Sequence, residues 1–335
     1  MNINLPSELL PLQSYDHIII SYSGGKDSLS MALATSEWAI ARHGVDRSRI
    51  ELWHQAVDGG PQSDRLMDWP CTESYCKATA RAMGFPVLFQ WKDRGFLGEL
   101  LRDNAPTSGV YFQRTGGDIG FLPPQGRKLA TRRRFPAKSA DLQTRWCSGY
   151  LKIDVARRVI NNDPRFAHAN ILFLTGERRQ ESAARAKYKE CEPTLKATSN
   201  RNRRTDQWRM VIDWKEEEVW DIIRRHRIVP HPAYRLGWGR VSCMACIFGQ
   251  ADQWASVRRI DPKAFERLAL YEQSLGHTID NKLPLLQMAD RGRSFVTAPK
   301  ELVDLAMGTD YPDSEVTTDC WQLPAGAFKK GGGPT

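Results

Sequence analysis

No run approaching the roughly 20 apolar residues needed to cross a bilayer occurs in the 335 residues. The opening segment, MNINLPSELLPLQSYD, has neither the basic stretch nor the apolar core of a secretory leader. No membrane association and a cytoplasmic location are therefore expected. Cysteine is sparse and odd in number: Cys71, Cys76, Cys147, Cys191, Cys243, Cys246 and Cys320. This excludes a disulfide framework and leaves metal binding or catalysis as the default role. Internal repeats are absent, and so is the loop with four residues between a glycine and a Gly-Lys pair. Acidic residues are in deficit, 39 against 48 Lys and Arg, for a formal net charge of +9. Such a surplus suits a polyanionic partner: ATP, a nucleic acid or both.

What is present is organised around residues 17–30, HIIISYSGGKDSLS. Three consecutive isoleucines read as a strand covered on both faces, because such strands show a continuous apolar run. The run stops at Ser23-Gly24-Gly25-Lys26-Asp27-Ser28, and a helical pattern follows from Leu29 to Ile40. A strand, glycine turn and helix in succession point free backbone N–H groups at an anion. Two glycines allow close approach to a phosphate, Lys26 adds charge, and the hydroxyls of Ser23 and Ser28 can donate.

Further along, 49–58 reads as a second strand ending in Asp58-Gly59-Gly60. Asp58 either faces a ligand beyond the strand ends or serves as a turn residue. Residues 69–84 read as a helix closed by Gly84, and 86–91 as a third strand. Cys71 and Cys76 fall on different faces of that helix and make a poor ligand pair. Residues 93–140 form a long insertion rich in Gly, Pro and basic residues, expected to hold a lid or a substrate-binding arm. A basic amphipathic helix follows in 144–160, then a strand at 171–175, another at 208–214, and a helix at 216–227. Two basic runs, Arg127 to Lys138 and Lys196 to Arg204, are expected either to hold a nucleic acid or to be solvated faces. Alternating strands and helices predict an α/β fold with a doubly wound, mostly parallel sheet. Residues 1–250 are assigned to this domain, 251–320 to a smaller helical C-terminal region, and 321–335 to a disordered tail. His226 and His231 flank a proline turn and read as structural.

Cys243 and Cys246 form a CxxC on a turn, a spacing that lets two thiolates reach one metal, iron–sulfur or zinc. Cys147 sits at a helix start beside Arg145, features expected to lower a thiol pKa.

The SGGKDS turn after an apolar strand resembles the PP-loop of the ATP pyrophosphatases, a superfamily that includes tRNA-thiolating enzymes and PAPS reductases. Two further blocks extend the resemblance: Gly176, Arg178, Glu181, Ser182 and Arg185 in a G-x-R-x-x-E-S-x-x-R pattern, and Arg145, Cys147 and Lys152 followed by the CxxC. Together they are similar to the cluster-bearing branch of the PAPS reductase-like family, closest in flavour to DNA phosphorothioation enzymes. The resemblance implies an adenine nucleotide alpha-hydrolase-like fold with ATP and Mg²⁺ on Ser23, Gly24, Gly25, Lys26, Asp27 and Ser28. It implies that Asp58 and the second block lie near the nucleotide, and that Lys26, Asp27 and Cys147 are catalytic. A [4Fe-4S] cluster on Cys147, Cys243 and Cys246 is also implied, with Cys191 or an open site in fourth place. The implied activity is adenylation of a substrate, a nucleic acid, followed by sulfur transfer from a donor such as a cysteine desulfurase. Alternatives are a sulfonucleotide reductase and a non-catalytic nucleotide-binding subunit with a structural cluster. The reductase route through a C-terminal E-C-G-(I/L)-H motif lacks its residues, since only Thr318-Asp319-Cys320-Trp321 is present.

Overall fold

The computed structural model describes residues 3–126, 128–241 and 243–329. Eight strands form one sheet: β1 (His17–Ser21), β2 (Ile50–Ala56), β3 (Val87–Lys92), β4 (Val110–Gln113), β5 (Ile119–Leu122), β6 (Asn170–Leu174), β7 (Cys191–Glu192) and β8 (Arg204–Trp208). Their order is β5-β4-β3-β2-β1-β6-β8-β7. The five central strands β3-β2-β1-β6-β8 are parallel, and antiparallel strands extend both edges. The chain runs outward from β1 to β2 and β3, then returns to the other side of β1 with β6. A crevice therefore opens beyond the carboxyl ends of β1 and β6, where the strand order reverses.

The triple isoleucine lies at the centre because both sheet faces are covered. Ile18 and Ile20 face one core, built with Leu29, Met31, Tyr75 and Trp220. Ile19 faces the other, with Trp53, Val155, Val159 and Phe166. Helices Lys26–Thr35, Thr72–Met83 and Glu216–Arg225 contribute to the first layer, and Asp154–Asn162 packs on the second. Helix Thr72–Met83 ends at Gly84 in the left-handed region, as the sequence indicated.

Three expectations are corrected. The insertion 93–140 contains a helix, Gly95–Leu100, and the β4–β5 hairpin that widens the sheet. Its short strands carry too few alternating residues to show a period. The strand placed at 208–214 lies instead at Arg204–Trp208. Its polar residues are buried because partners satisfy them: Asp206, at 0% exposure, accepts from the Tyr15 hydroxyl at 2.6 Å and the Thr194 amide at 2.7 Å. Residues 321–329, expected to be disordered, are held on the body. The Trp321 indole donates to the Ile228 carbonyl at 2.8 Å, and the Gly326 amide donates to the Tyr234 carbonyl at 2.8 Å. Residues 330–335 of the expected tail lie outside the described residues, as does Arg127 of the first basic run.

After residue 250 the chain is helical at Ala251–Ile260, Pro262–Leu275, Leu285–Asp290 and Lys300–Met307. Trp254, Phe265 and Leu268 of these helices join the same apolar core as Leu29 and Trp220. Among the described residues no helix is long and apolar enough to cross a membrane.

Candidate active site

A cavity of about 570 Å³ opens at the reversal point of the sheet. Its floor is the turn after β1. Gly24 has φ +74°, and a Cβ there would lie 3.0 Å from the Cys76 sulfur and 3.2 Å from the Tyr75 ring. Only glycine fits this conformation against that helix. Ser28 Oγ accepts from the Ser23 amide at 3.1 Å and donates to the Gly25 carbonyl at 3.0 Å. The Lys26 amide donates to the Tyr234 hydroxyl at 3.0 Å, so the first helical turn is anchored from far along the chain.

Ser23, Gly25, Asp27 and Ser28 line the cavity. Lys26 does not. Its side chain is 5% exposed, and Nζ pairs with Asp27 Oδ2 at 3.1 Å. Asp27 Oδ1 accepts from Arg178 Nε at 2.5 Å, and Arg178 is only 2% exposed. Burial would raise the Asp27 carboxyl, but Lys26 and Arg178 outweigh it and hold the group at about 2. Each carboxylate oxygen therefore carries one cationic partner.

The loop after β6 closes on this turn. A Cβ on Gly176 would stand 3.3 Å from the Asp27 carbonyl. Glu181 accepts from the Arg178 amide at 2.8 Å and pairs with Arg185, while Ser182 Oγ accepts from the Arg185 amide at 3.2 Å. Gly176, Glu181, Ser182 and Arg185 line the cavity; Arg178 lies behind it and acts through Asp27.

Asp58 takes the turn role. Its carboxylate accepts from the Met67 amide at 3.0 Å and the Asp68 amide at 2.8 Å, and it is absent from the cavity wall. Its carboxyl is pushed up by burial, against those same amide bonds. The residue it positions, Asp68, lines the cavity instead; burial and the neighbouring Asp58 raise it to about 6. Nothing in the sequence marked Asp68, because it lies in an irregular loop after the glycines.

Cys147, Cys243 and Cys246 all line the same cavity, together with Lys152. Cys147 does not show the lowered pKa expected from its helix start. Burial and the neighbouring Cys246 raise it to about 11, against the opposing charge of Lys152. Desolvation outweighs the field of the helix, which starts at Trp146 and runs on through Gly149–Ile153 into Asp154–Asn162. Burial likewise pushes the Cys243 thiol up, and Asp68 adds to it. Soft thiols around a common space are the donor type that iron–sulfur centres and zinc require. As placed, however, no three Cys, His, Asp or Glu side chains among the described residues close on one ion. Cys191 lies in β7, outside the cavity, and is not brought to the other three. Cys71 and Cys76 are fully buried beside His231 and His54, at 3.5 and 3.6 Å.

His54 also went unmarked in the sequence. It is 3% exposed on β2 and lines the cavity, with Nδ1 3.0 Å from the Tyr22 carbonyl. Burial, followed by the charge of Lys152, lowers its pKa to about 4. Arg145, Lys152, Arg157, Arg185, Arg209 and Arg240 supply the positive wall.

The two basic runs are largely tied up elsewhere. Arg132 pairs with Glu99 at 2.5 Å, Lys138 with Asp280 at 2.6 Å and Arg204 with Asp206 at 2.9 Å. Arg203 is buried and donates to the Thr198 carbonyl at 2.6 Å. Of the described residues in the two runs, Arg134 and Arg201 are among those exposed.

Residues 124–248 match the model of the phosphoadenosine phosphosulfate reductase domain. Over that stretch the chain is similar to the PAPS reductase domain. The matched segment supplies Cys147, Lys152, Gly176, Glu181, Cys243 and Cys246 to the cavity, while the glycine turn after β1 precedes it. An uncharacterized 37.8 kDa protein of Escherichia phage 186, from the gpa 5' region, is 26% identical over 263 residues. That alignment covers 76% of this chain and 74% of the phage protein. A solved structure of Candida glabrata FMN adenylyltransferase with FMN and the ATP analogue AMPCPP aligns with a TM-score of 0.38 at 12% identity. It covers 68% of this chain, which spans about half of that one (53%).

Proposed function

We propose that the chain is an ATP-dependent PP-loop enzyme that adenylates an acceptor and replaces the adenylated oxygen by sulfur. One observation carries this reading: the thiols of Cys147, Cys243 and Cys246 open into the same cavity as Ser23, Gly25 and Ser28. A nucleotide on the turn and a sulfur-handling centre would then share one enclosed space.

The start of helix Lys26–Thr35 and the hydroxyls of Ser23 and Ser28 would receive the phosphates. Lys26 contributes from below the loop, by fixing Asp27, rather than by touching the phosphates. An acceptor oxygen attacks the α-phosphorus, the bond to the β-phosphate oxygen breaks, and pyrophosphate leaves. Arg185 and Arg240, which line the cavity, would stabilise the developing charge. A sulfide then displaces AMP, so both steps are substitutions and neither changes an oxidation state. Cys147, Cys243 and Cys246 would hold an iron–sulfur centre, which supplies a place to bind that sulfide. The acceptor class proposed is a nucleic acid, and the sulfur source a protein of the cysteine desulfurase type, whose persulfide sulfur an external dithiol would reduce to sulfide, becoming a disulfide, before the two substitutions.

The test is anaerobic purification with iron and sulfide counting, followed by turnover of ATP against sulfonucleotides. Iron and sulfide that vanish in Cys243→Ser, with pyrophosphate released from ATP, support the reading. Stoichiometric zinc without sulfide removes the sulfur step. Sulfite released from a sulfonucleotide, with no pyrophosphate from ATP, replaces it by a reductase.

A further inference from the structure

The insertion 93–140 has no counterpart in the mechanism above, yet it reaches the cysteine end of the cavity. Its anchor is Glu99, 1% exposed, whose Oε1 meets Arg132 Nε at 2.5 Å and Arg102 Nη2 at 3.1 Å. The Arg132 amide also donates to the Arg102 carbonyl at 2.8 Å, so backbone and side chain are tied to one point. Held there, the Arg132 guanidinium covers two aromatic rings at once, Trp146 at 5.1 Å and Tyr150 at 4.6 Å.

Those two residues bracket Cys147. Trp146 precedes it, and Tyr150 follows one turn later on the face of Trp146, a spacing of four. The insertion grips both rings from further directions. Phe96 stacks on Trp146 at 4.9 Å, and the Trp146 indole donates to the Arg134 carbonyl at 3.1 Å. Lys92, at the end of β3, also lies over the Tyr150 ring at 4.8 Å, and its Nζ donates to Thr107 of the insertion at 2.8 Å. Directly after Cys147 the helix widens to a π-turn, Gly149–Ile153, a form that seldom persists without outside support. At Gly149 a Cβ would stand 2.5 Å from the Leu142 carbonyl, so the preceding loop is pressed against this turn.

We propose that the Glu99–Arg132 pair is a positioning device for Cys147, clamping Trp146 and Tyr150 so that the thiol between them faces the cavity. The proposal rests on the reading of Cys147 as a working group. The first turn of a helix lacks half of its backbone partners and is the part most prone to fray, so its local opening is governed by the contacts that cover it. Arg132 is suited to the task because its planar group can lie on two rings while bonding a carboxylate, which a lysine cannot do.

The test is alkylation of the full chain by iodoacetamide, with each cysteine quantified by peptide mass spectrometry. Cys320, exposed and distant in sequence, is the internal reference. Arg132→Ala should raise labelling of Cys147 roughly tenfold relative to Cys320, the change expected when a contact of this kind is lost. Buried Cys76 should stay protected. Arg132→Lys, which keeps the charge on Glu99 but not the flat face, should restore part of the protection. Glu99→Gln, close to isosteric, should loosen Cys147 in the same direction and carries the test if Arg132→Ala fails to fold. Unchanged Cys147 labelling in both Arg132→Ala and Glu99→Gln overturns the clamp, as does a rise at every cysteine alike. Pyrophosphate release separates this from the reading beneath it. A fall in kcat with nucleotide KM unchanged supports both; exposed Cys147 with full turnover supports the clamp and refutes a working role for Cys147.

Discussion

Replacing Asp27 by Asn should make the protein less stable near neutral pH and leave the difference much smaller in acid. The carboxylate lies between Lys26 and Arg178, at 3.1 and 2.5 Å. Burial acts to raise its pKa, but the two cations dominate and bring it from 3.8 to about 2. A depressed carboxylate pKa stabilises the fold fully above the unfolded value, and the contribution is lost as pH falls from about 5 towards 2. At about 1.4 kcal/mol per unit, the shift corresponds to about 2 kcal/mol. The neutral-pH deficit of Asp27→Asn should be at least that, since breaking a buried pair leaves Arg178 short of a counter-charge, at roughly 3–5 kcal/mol. Urea unfolding of the apoprotein, followed by the fluorescence of its 11 tryptophans at pH 7, 5, 4 and 3, measures the gap directly. The gap between wild type and variant should narrow by about 1 kcal/mol between pH 7 and pH 3, the rest of the contribution being lost only below the folded-state value of about 2. A gap that stays constant with pH would show that the triad does not hold the charge as described.

Three more outcomes are expected. His54 and His231, held neutral by burial with pKa values near 4 and 3, resist a proton that the unfolded chain accepts below 6.5; stability should fall as pH drops from 6.5 towards 4. His54→Gln should remove about 3 kcal/mol of that dependence, read from denaturant midpoints at pH 7 and 4.5. Ser28→Ala, which removes the hydroxyl that ties Ser23 to Gly25, should weaken ATP binding roughly tenfold or more by calorimetry, because hydrogen bonds to charged groups are worth about 1.5–3 kcal/mol. With most of the basic runs internally paired, replacing the exposed Arg134 and Arg201 by Ala should flatten the salt slope of any nucleic-acid binding by no more than about two units in filter binding.

The nucleotide end of the site was legible in the sequence because it is local. A triple isoleucine, two glycines and a serine fix strand, turn and helix within 14 residues, and the G-x-R-x-x-E-S-x-x-R block repeats that logic after β6. What stayed hidden depends on distant partners. Lys26 reads as a phosphate ligand until Tyr234 and Asp27 are seen to hold its amide and its Nζ. Asp58 and Asp68 exchange roles through backbone amides that no spacing announces. Cys147 has an arginine neighbour in sequence, yet desolvation by the surrounding fold decides its acidity. The basic runs looked free because their carboxylate partners, Glu99, Asp206 and Asp280, lie elsewhere in the chain.

The anchoring of the Lys26 amide by Tyr234 has a consequence for synthesis. The nucleotide turn leaves the ribosome before its anchor, which follows 208 residues later. At about 5–20 residues per second, the turn waits roughly 10–40 s for that partner. Gly326, whose amide caps the Tyr234 carbonyl, comes later still. The nascent chain therefore carries a glycine-rich turn without its support until Tyr234 and then Gly326 have emerged, and the turn cannot be completed before them.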